Sequence, residues 1–251
     1  MNFKLTLSYD GSNFSGWQIQ PDERTIQNEI QIAIQNIFHN KDIKLYGSGR
    51  TDSGVHSINQ TANFLIENTN MSEKQIIDAI NSKVSRDIYV LDCQKIDEGF
   101  NSRYSAINRE YLYKISRKYS PFLRKYSWYQ NYTIDFNKLK ECSEIILGEH
   151  DFSNFCKSIS LQEKNFCNIS KSIWKINDDT ISYRVRSNRF LHHMVRMLVG
   201  TMVEVSKNRI TLEEFNSMIK NPNRNKKVIT APSLGLYLYK VYYKNSLYKN
   251  C

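Results

Sequence analysis

Residues 3–9, "FKLTLSY", alternate apolar and polar side chains without a break, the period of a half-buried strand. The alternation ends at "DGSNFSG" (10–16), a turn by composition. From Thr25 the period changes: "TIQNEIQIAIQNIF" sets Ile26, Ile30, Ala33, Ile34 and Ile37 along one face of a helix. "IKLYGSG" (43–49) and "QTANFLIE" (60–67) read as two strands, joined by the polar loop "GSGRTDSGVHS" (47–57). In "MSEKQIIDAINSKV", Ser72 and Gln75 have capping-box spacing ahead of Ile76, Ile77, Ile80 and Val84, which predicts a second helix.

The second half repeats the theme. "REYLYKISR" alternates like a strand, and "IDFNKLKECSEIILG" is helical in period. "SIWKINDDTISYRVRS" predicts a hairpin turning at Asn177 to Asp179, and "NRFLHHMVRMLVGTMVEVSK" (188–207) a helix apolar on most sides. Thr211 and Glu214 make a capping-box pair for "TLEEFNSMIK", and "LGLYLYKVYY" alternates as a final strand. Strand, helix, strand and helix thus recur in both halves, an α/β order that divides into 1–104 and 105–251. No Pro/Gly/Ser-rich linker intervenes, so the halves are expected to share one continuous sheet flanked by helices.

A chain of 251 residues, 40% hydrophobic and 24% charged, is long and apolar enough to fold around a substantial core. No apolar run reaches the roughly 18 residues of a membrane span, since even "MVRMLVGTMVEV" carries Arg196 and Glu204. The N-terminus lacks the pattern of a secretory signal, and a cytoplasmic protein is expected. Five cysteines, with no CxxC pair, predict reduced thiols and neither a disulfide framework nor a metal site.

Charge changes the picture more. A net +10 suggests a polyanionic partner. Residues 101–132 hold Arg103, Arg109, Lys114, Arg117, Lys118, Arg124 and Lys125 against the single acid Glu110, interleaved with seven tyrosines. Cations neutralise phosphates and aromatic faces stack on unpaired bases, the pairing that RNA recognition uses. A second basic stretch runs through Arg184, Arg186, Arg189 and Arg196, and a third, "KNPNRNKK" (220–227), contains no acid.

The loop at 47–57 makes a specific demand on the backbone: Arg50 and Asp52 stand two apart between Gly49 and Gly54. Its glycines fit neither a GxxxxGK[ST] phosphate loop nor GxGxxG, and no cofactor is indicated. Asp52 with His56, or His192 and His193 with Asp151, would be the raw material of a hydrolase or metal site. Adjacent histidines on a helix diverge by about 100 degrees, however, and no GxSxG elbow is present.

"GSGRTDSGVHS", followed in order by "FNSRYSAINREYLYKI", "LGEHDFSNFCK", "NRFLHHMVRMLVG" and "APSLGLYL", resembles the tRNA pseudouridine synthase A family over nearly the whole chain. The resemblance implies a homodimer of subunits with two α/β subdomains on a long, mainly antiparallel sheet and a basic cleft. It implies isomerisation of uridine to pseudouridine at tRNA positions 38, 39 and 40, in the anticodon stem-loop, with no cofactor and no metal.

It further assigns Asp52 as the essential aspartate and nucleophile, Arg196 as its guanidinium partner, and Tyr111 as the residue that stacks on the uracil and can take part in proton transfer. Attack at C6, attack at C1′ and a base acting on the sugar all stay open for Asp52. Arg50 is implied in holding the target nucleotide out of the helix, and Arg109, Lys114 and Arg117 are candidates for substrate binding. The chain departs from the family pattern in carrying Ser48, Ser53 and Ser57 where small alanines are usual, and Arg189 beside the "HHMVR" segment. Without catalysis, the same basic surface would make an RNA-binding protein.

Overall fold

A computed structural model describes residues 1–177, 179–223 and 227–244. Asp178 of the expected hairpin turn, Arg224, Asn225 and Lys226 of the third basic stretch, and Cys251 lie outside the described residues. The chain forms two compact units, Met1–Ile107 together with the strand from Tyr237, and Asn108–Leu236. The last strand thus groups with the N-terminal unit. Among the described residues no helix is long and apolar enough to cross a membrane.

The first unit runs β1 (Asn2–Tyr9), a 3-10 turn (Gly11–Asn13), α1 (Ile26–Phe38), β2 (Tyr46–Gly47), β3 (His56–Leu65), α2 (Glu73–Lys83) and β4 (Ile88–Ile96). β1 lies between β4 and β3, antiparallel to both. Leu5 and Leu7 of β1, Ala62 and Phe64 of β3 and Val90 of β4 are buried in one cluster with Ile26, Ile30 and Ile34 of α1 and Ile76 and Ile80 of α2. The alternation and helical period read from the sequence therefore meet in a single core. The Ser72 capping box is formed, with its side chain accepting from Gln75 N–H and Gln75 reaching back.

The expected strand at 43–49 is reduced to Tyr46–Gly47. Ile43 and Leu45 are buried as a strand pattern would have them, but glutamines of α1 satisfy their backbone. Gln27 Nε2 donates to Leu45 O at 2.8 Å, Leu45 N–H donates to Gln31 Oε1 at 3.0 Å, and Gln35 Nε2 donates to Ile43 O at 2.9 Å. Side chains thus supply the partners a neighbouring strand would otherwise provide.

The second unit contains β5 (Ala106–Ser116), β6 (Trp128–Tyr129), α3 (Phe136–Ile145), β7 (Gly148–Asp151), β8 (Phe166–Asn177), β9 (Thr180–Ser187), α4 (Met194–Ser206) and α5 (Leu212–Lys220). β9 pairs antiparallel with β5 and β8, β8 with β7, and β6 joins β5 in parallel. Tyr113, Ile115, Tyr183 and Val185 are fully buried, and Trp174 stacks on Tyr183 with centroids 4.5 Å apart. Ten of the thirteen residues of α4 are buried, so its apolar surround reflects a helix enclosed on several sides. The Thr211 capping box opens α5. The last described element is β10 (Leu236–Tyr243), whose Tyr237 and Leu238 pair in parallel with His56 and Ser57 of β3 in the first unit.

α4 begins later than its hydropathy predicts. Residues 188–193 are not helical, because His193 takes a left-handed backbone (φ 65) immediately before Met194. His192 and His193 therefore do not diverge around a helix; their ring centroids stand 4.4 Å apart. Asp151 accepts from Ser153 N–H at 2.9 Å and from the Ser153 hydroxyl at 2.5 Å, while His192 Nδ1 is 2.7 Å from Ser160 Oγ.

Candidate active site

The loop carrying Asp52 is held from several directions within the first unit. Ser48 N–H donates to Thr61 O at 2.8 Å, and the Ser48 hydroxyl donates to Gln60 Oε1 at 2.6 Å. Gln60, itself fully buried, sends its amide back to Gly49 O at 3.0 Å. Thr51 O accepts from Trp17 N–H at 3.0 Å, and Thr51 Oγ1 lies 2.9 Å from the Tyr9 hydroxyl. Beyond Asp52, Gly54 N–H and the Ser53 hydroxyl both reach Phe14 O, and Val55 N–H closes the turn onto Asp52 O at 3.1 Å. Asp52 is half-buried on this frame, and Arg50 is exposed with its Nε donating to Gln18 Oε1 at 3.1 Å.

The turn "DGSNFSG" forms the floor. Gly16 has φ +95, and a Cβ there would stand 2.6 Å from Thr51 O and 3.2 Å from the Asp52 carbonyl carbon. Only glycine fits both the conformation and the close approach. His56, 2% exposed, has Nδ1 3.2 Å from Gly11 N and 3.1 Å from Asp10 Oδ1, and its ring stacks on Tyr237 at 4.7 Å. Neutral Nδ1 accepts from Gly11, whereas a protonated ring donates to Asp10; either way His56 is tied to the loop's base. The three serines that depart from the family pattern are also explained. Ser48 and Ser53 bond as described, and the buried Ser57 hydroxyl donates to Leu238 O at 3.1 Å.

In the second unit, Tyr111 stands on β5 opposite Val185, half-buried, with Phe190 edge-on at 5.1 Å between centroids. Arg196 sits in the first turn of α4, half-buried. Its Nε donates to Ala231 O at 2.9 Å, and Ala231 N–H returns to Arg196 O at 3.0 Å. The strap that holds it is anchored again where the buried Tyr113 hydroxyl donates to Pro232 O at 2.8 Å. Burial pushes the Tyr113 phenol well above its ordinary range, against the pull of Arg196, so Tyr113 remains a neutral donor.

Of the other candidates, Arg109 donates from Nη1 to Asn188 O at 3.1 Å, and Lys114 lies on β5 with its pKa lowered by desolvation. Arg117 is exposed just beyond β5, its N–H on Asp179 O. The tyrosines of the basic segment divide: Tyr113 is core, while Tyr104, Tyr119 and Tyr132 are exposed.

Glu110 is the residue that sequence reasoning passed over. It is fully buried, with Lys171 Nζ, Arg184 Nε and Arg186 Nη2 each 3.0 Å from its carboxylate. Part of the second basic stretch therefore neutralises a buried anion. A lone acid within a long basic run was the available signal.

A family model for tRNA pseudouridine synthase matches residues 6–105 and 143–244. The chain belongs to that family. A tRNA pseudouridine synthase A of Brachyspira hyodysenteriae is 37% identical over 97% of this chain and 99% of its own length. One of Bacillus pumilus is 38% identical over 98% and 100%, and one of Ureaplasma parvum serovar 3 is 36% identical over 97% and 100%. A chain in a crystal structure of a Cbf5–Nop10–Gar1 complex overlaps with a TM-score of 0.34 and 11% identity, over 80% of this chain and 53% of that one, too loosely to bear on fold or function. Family membership makes the protein an isomerase, and tRNA its substrate class.

Proposed function

We propose that the protein converts uridine to pseudouridine at positions 38, 39 and 40 of tRNA, in the anticodon stem-loop, with Asp52 as the essential carboxylate. The observation that carries this reading is the Asp52 loop itself: a half-buried acid on a backbone pinned at Ser48, Thr51, Ser53 and Val55. Such a frame keeps a reacting group in place, as covalent and general-base chemistry both require.

The reaction breaks the ribose C1′–N1 bond, turns the uracil, forms C1′–C5, removes the C5 proton and leaves a proton on N1. Atoms and electrons balance without an oxidant or an energy source. Asp52 supplies the negative charge at sugar and base. Arg196 opposes the tendency of a desolvated carboxylate to take up a proton. Tyr111 offers its ring to the uracil and its hydroxyl to the proton transfer at C5, while Arg50 occupies the space the extruded nucleotide vacates. Arg109, Lys114 and Arg117 contact the RNA. The same reading implies a cytoplasmic homodimer, which sedimentation of the purified protein tests.

Unmodified tRNA tritiated at uracil C5 provides the decisive assay. Tritium release with pseudouridine appearing in the 3′ anticodon arm, abolished in Asp52→Asn, is the expected result. Pseudouridine in another arm would remove the positional assignment, and tight tRNA binding with no release would turn the protein into a binder.

A further inference from the structure

Strand register places a second cationic array in this unit. In antiparallel pairing, residues directly opposite share a face and alternate residues along a strand return to it. On the face away from Tyr113 and Tyr183, β5 contributes Glu110, Leu112 and Lys114, and β9 places Arg186, Arg184 and Ser182 opposite them. β8 adds Lys171, Ile173 and Lys175 opposite the same three β9 residues. Nine positions in three rows thus hold five cations and one carboxylate.

Neutralising Glu110 accounts for only part of this. Lys171, Arg184 and Arg186 surround that one carboxylate, and each keeps 25–30% of its side chain exposed. Lys114 and Lys175 lie two rows away, about 13 Å along the strands, too far to serve Glu110. Glu110 instead ties Lys171, Arg184 and Arg186 in place, so that less side-chain freedom remains to be lost when an anion arrives. Lys114, whose charge burial already disfavours, regains that loss beside an anion.

We propose that this sheet face, on the side of β5 opposite Tyr111, is a docking surface for the sugar–phosphate backbone of the tRNA. The inference rests on tRNA as substrate. Rows about 7 Å apart suit successive phosphates of an extended strand, and Leu112 and Ile173, which flank Arg184 in the middle row, offer apolar contact to sugars. No aromatic ring stands among the nine positions, so the face reads backbone and not base identity. A second copy of the chain would present the same excess of positive charge, which opposes self-association through this face.

The test uses the full chain and an unmodified tRNA transcript, with binding measured across a salt series. Lys114→Gln combined with Lys175→Gln touches no residue in the Glu110 cluster and is expected to fold. If two phosphate contacts are lost, the slope of log affinity against log salt becomes shallower by about 1.4–1.8. The affinity gap to the unaltered protein then narrows roughly tenfold between about 50 and about 200 mM salt. Arg184→Gln, checked for a cooperative thermal transition, should move the slope in the same direction, and Lys175→Arg in place of Lys175→Gln should recover about half of the change in the double variant. An unchanged slope in folded variants overturns the proposal, as does a shift in association state on sedimentation with the slope intact, which would assign the face to a second copy. Absence of pseudouridine with the unaltered protein would instead defeat the underlying reading, whatever the slopes.

Discussion

Ser48 and Gln60 form a closed pair beneath the Asp52 loop: the serine hydroxyl donates to Gln60 Oε1 at 2.6 Å, and the glutamine amide donates to Gly49 O at 3.0 Å. Oε1 also accepts Thr61 N–H at 3.1 Å. Losing the two members therefore has unequal effects. Ser48→Ala leaves Oε1 its Thr61 donor and should cost about 1 kcal/mol in urea unfolding, whereas Gln60→Leu strands several buried groups and should cost about 2–3 kcal/mol. Activity at saturating tRNA should fall further for Gln60→Leu than for Ser48→Ala, because only the former frees the backbone at Gly49.

Two glycines near Asp52 look alike in sequence and differ in space. A Cβ on Gly16 meets Thr51 O at 2.6 Å with φ at +95, while a Cβ on Gly49 meets nothing within 4 Å. Gly16→Ala should destabilise by about 1–3 kcal/mol and lower turnover by displacing the Asp52 backbone. Gly49→Ala should leave the thermal midpoint unchanged or raise it, since it restricts the unfolded chain by about 0.4–1 kcal/mol. Equal effects from the two would contradict the packing of the "DGSNFSG" turn under the loop.

Features decided by neighbours in sequence were legible in advance. The Ser72–Gln75 and Thr211–Glu214 capping boxes need only a three-residue spacing, and both are formed. Glycines and small polar residues crowding around Asp52 predict a constrained loop, and its backbone is held at Ser48, Thr51, Ser53 and Val55. Features decided by distant partners were not. The strand at 43–49 is short because glutamines one helix away take its hydrogen bonds. The start of α4 is displaced because a single backbone at His193 is left-handed, which hydropathy does not record. Glu110 lacked meaning until β8 and β9 brought Lys171, Arg184 and Arg186 to it.

Removing the Glu110 charge tests that cluster directly. Glu110→Gln keeps the shape but leaves three cations facing one another, each partly exposed to solvent. Solvent screening reduces the loss from that of a fully buried pair, to about 1–3 kcal/mol. The thermal midpoint of Glu110→Gln should rise toward that of the unaltered protein as salt is added, because screening relieves cation repulsion. A deficit independent of salt would assign Glu110 a packing role only.

The buried thiols and phenols set an alkaline limit. Burial pushes Cys93 and Cys142 up to about 12 and Cys167 up to about 11 from an ordinary 9.0, and raises Tyr113 and Tyr183 as well. A thiol whose folded pKa exceeds its unfolded one contributes full stability below pH 9, because both states then hold the proton. Above pH 9 the unfolded chain releases its proton first and the contribution is lost as pH rises toward the folded value. The unfolding free energy should therefore decline above pH 9 by up to about 1.4 kcal/mol per pH unit for each such group. At pH 8 these same thiols, held protonated and out of solvent, should resist alkylation until urea opens the chain. Labelling of Cys142 in the native protein at the rate of a free thiol would mean that the core of the second unit opens far more readily than its packing implies.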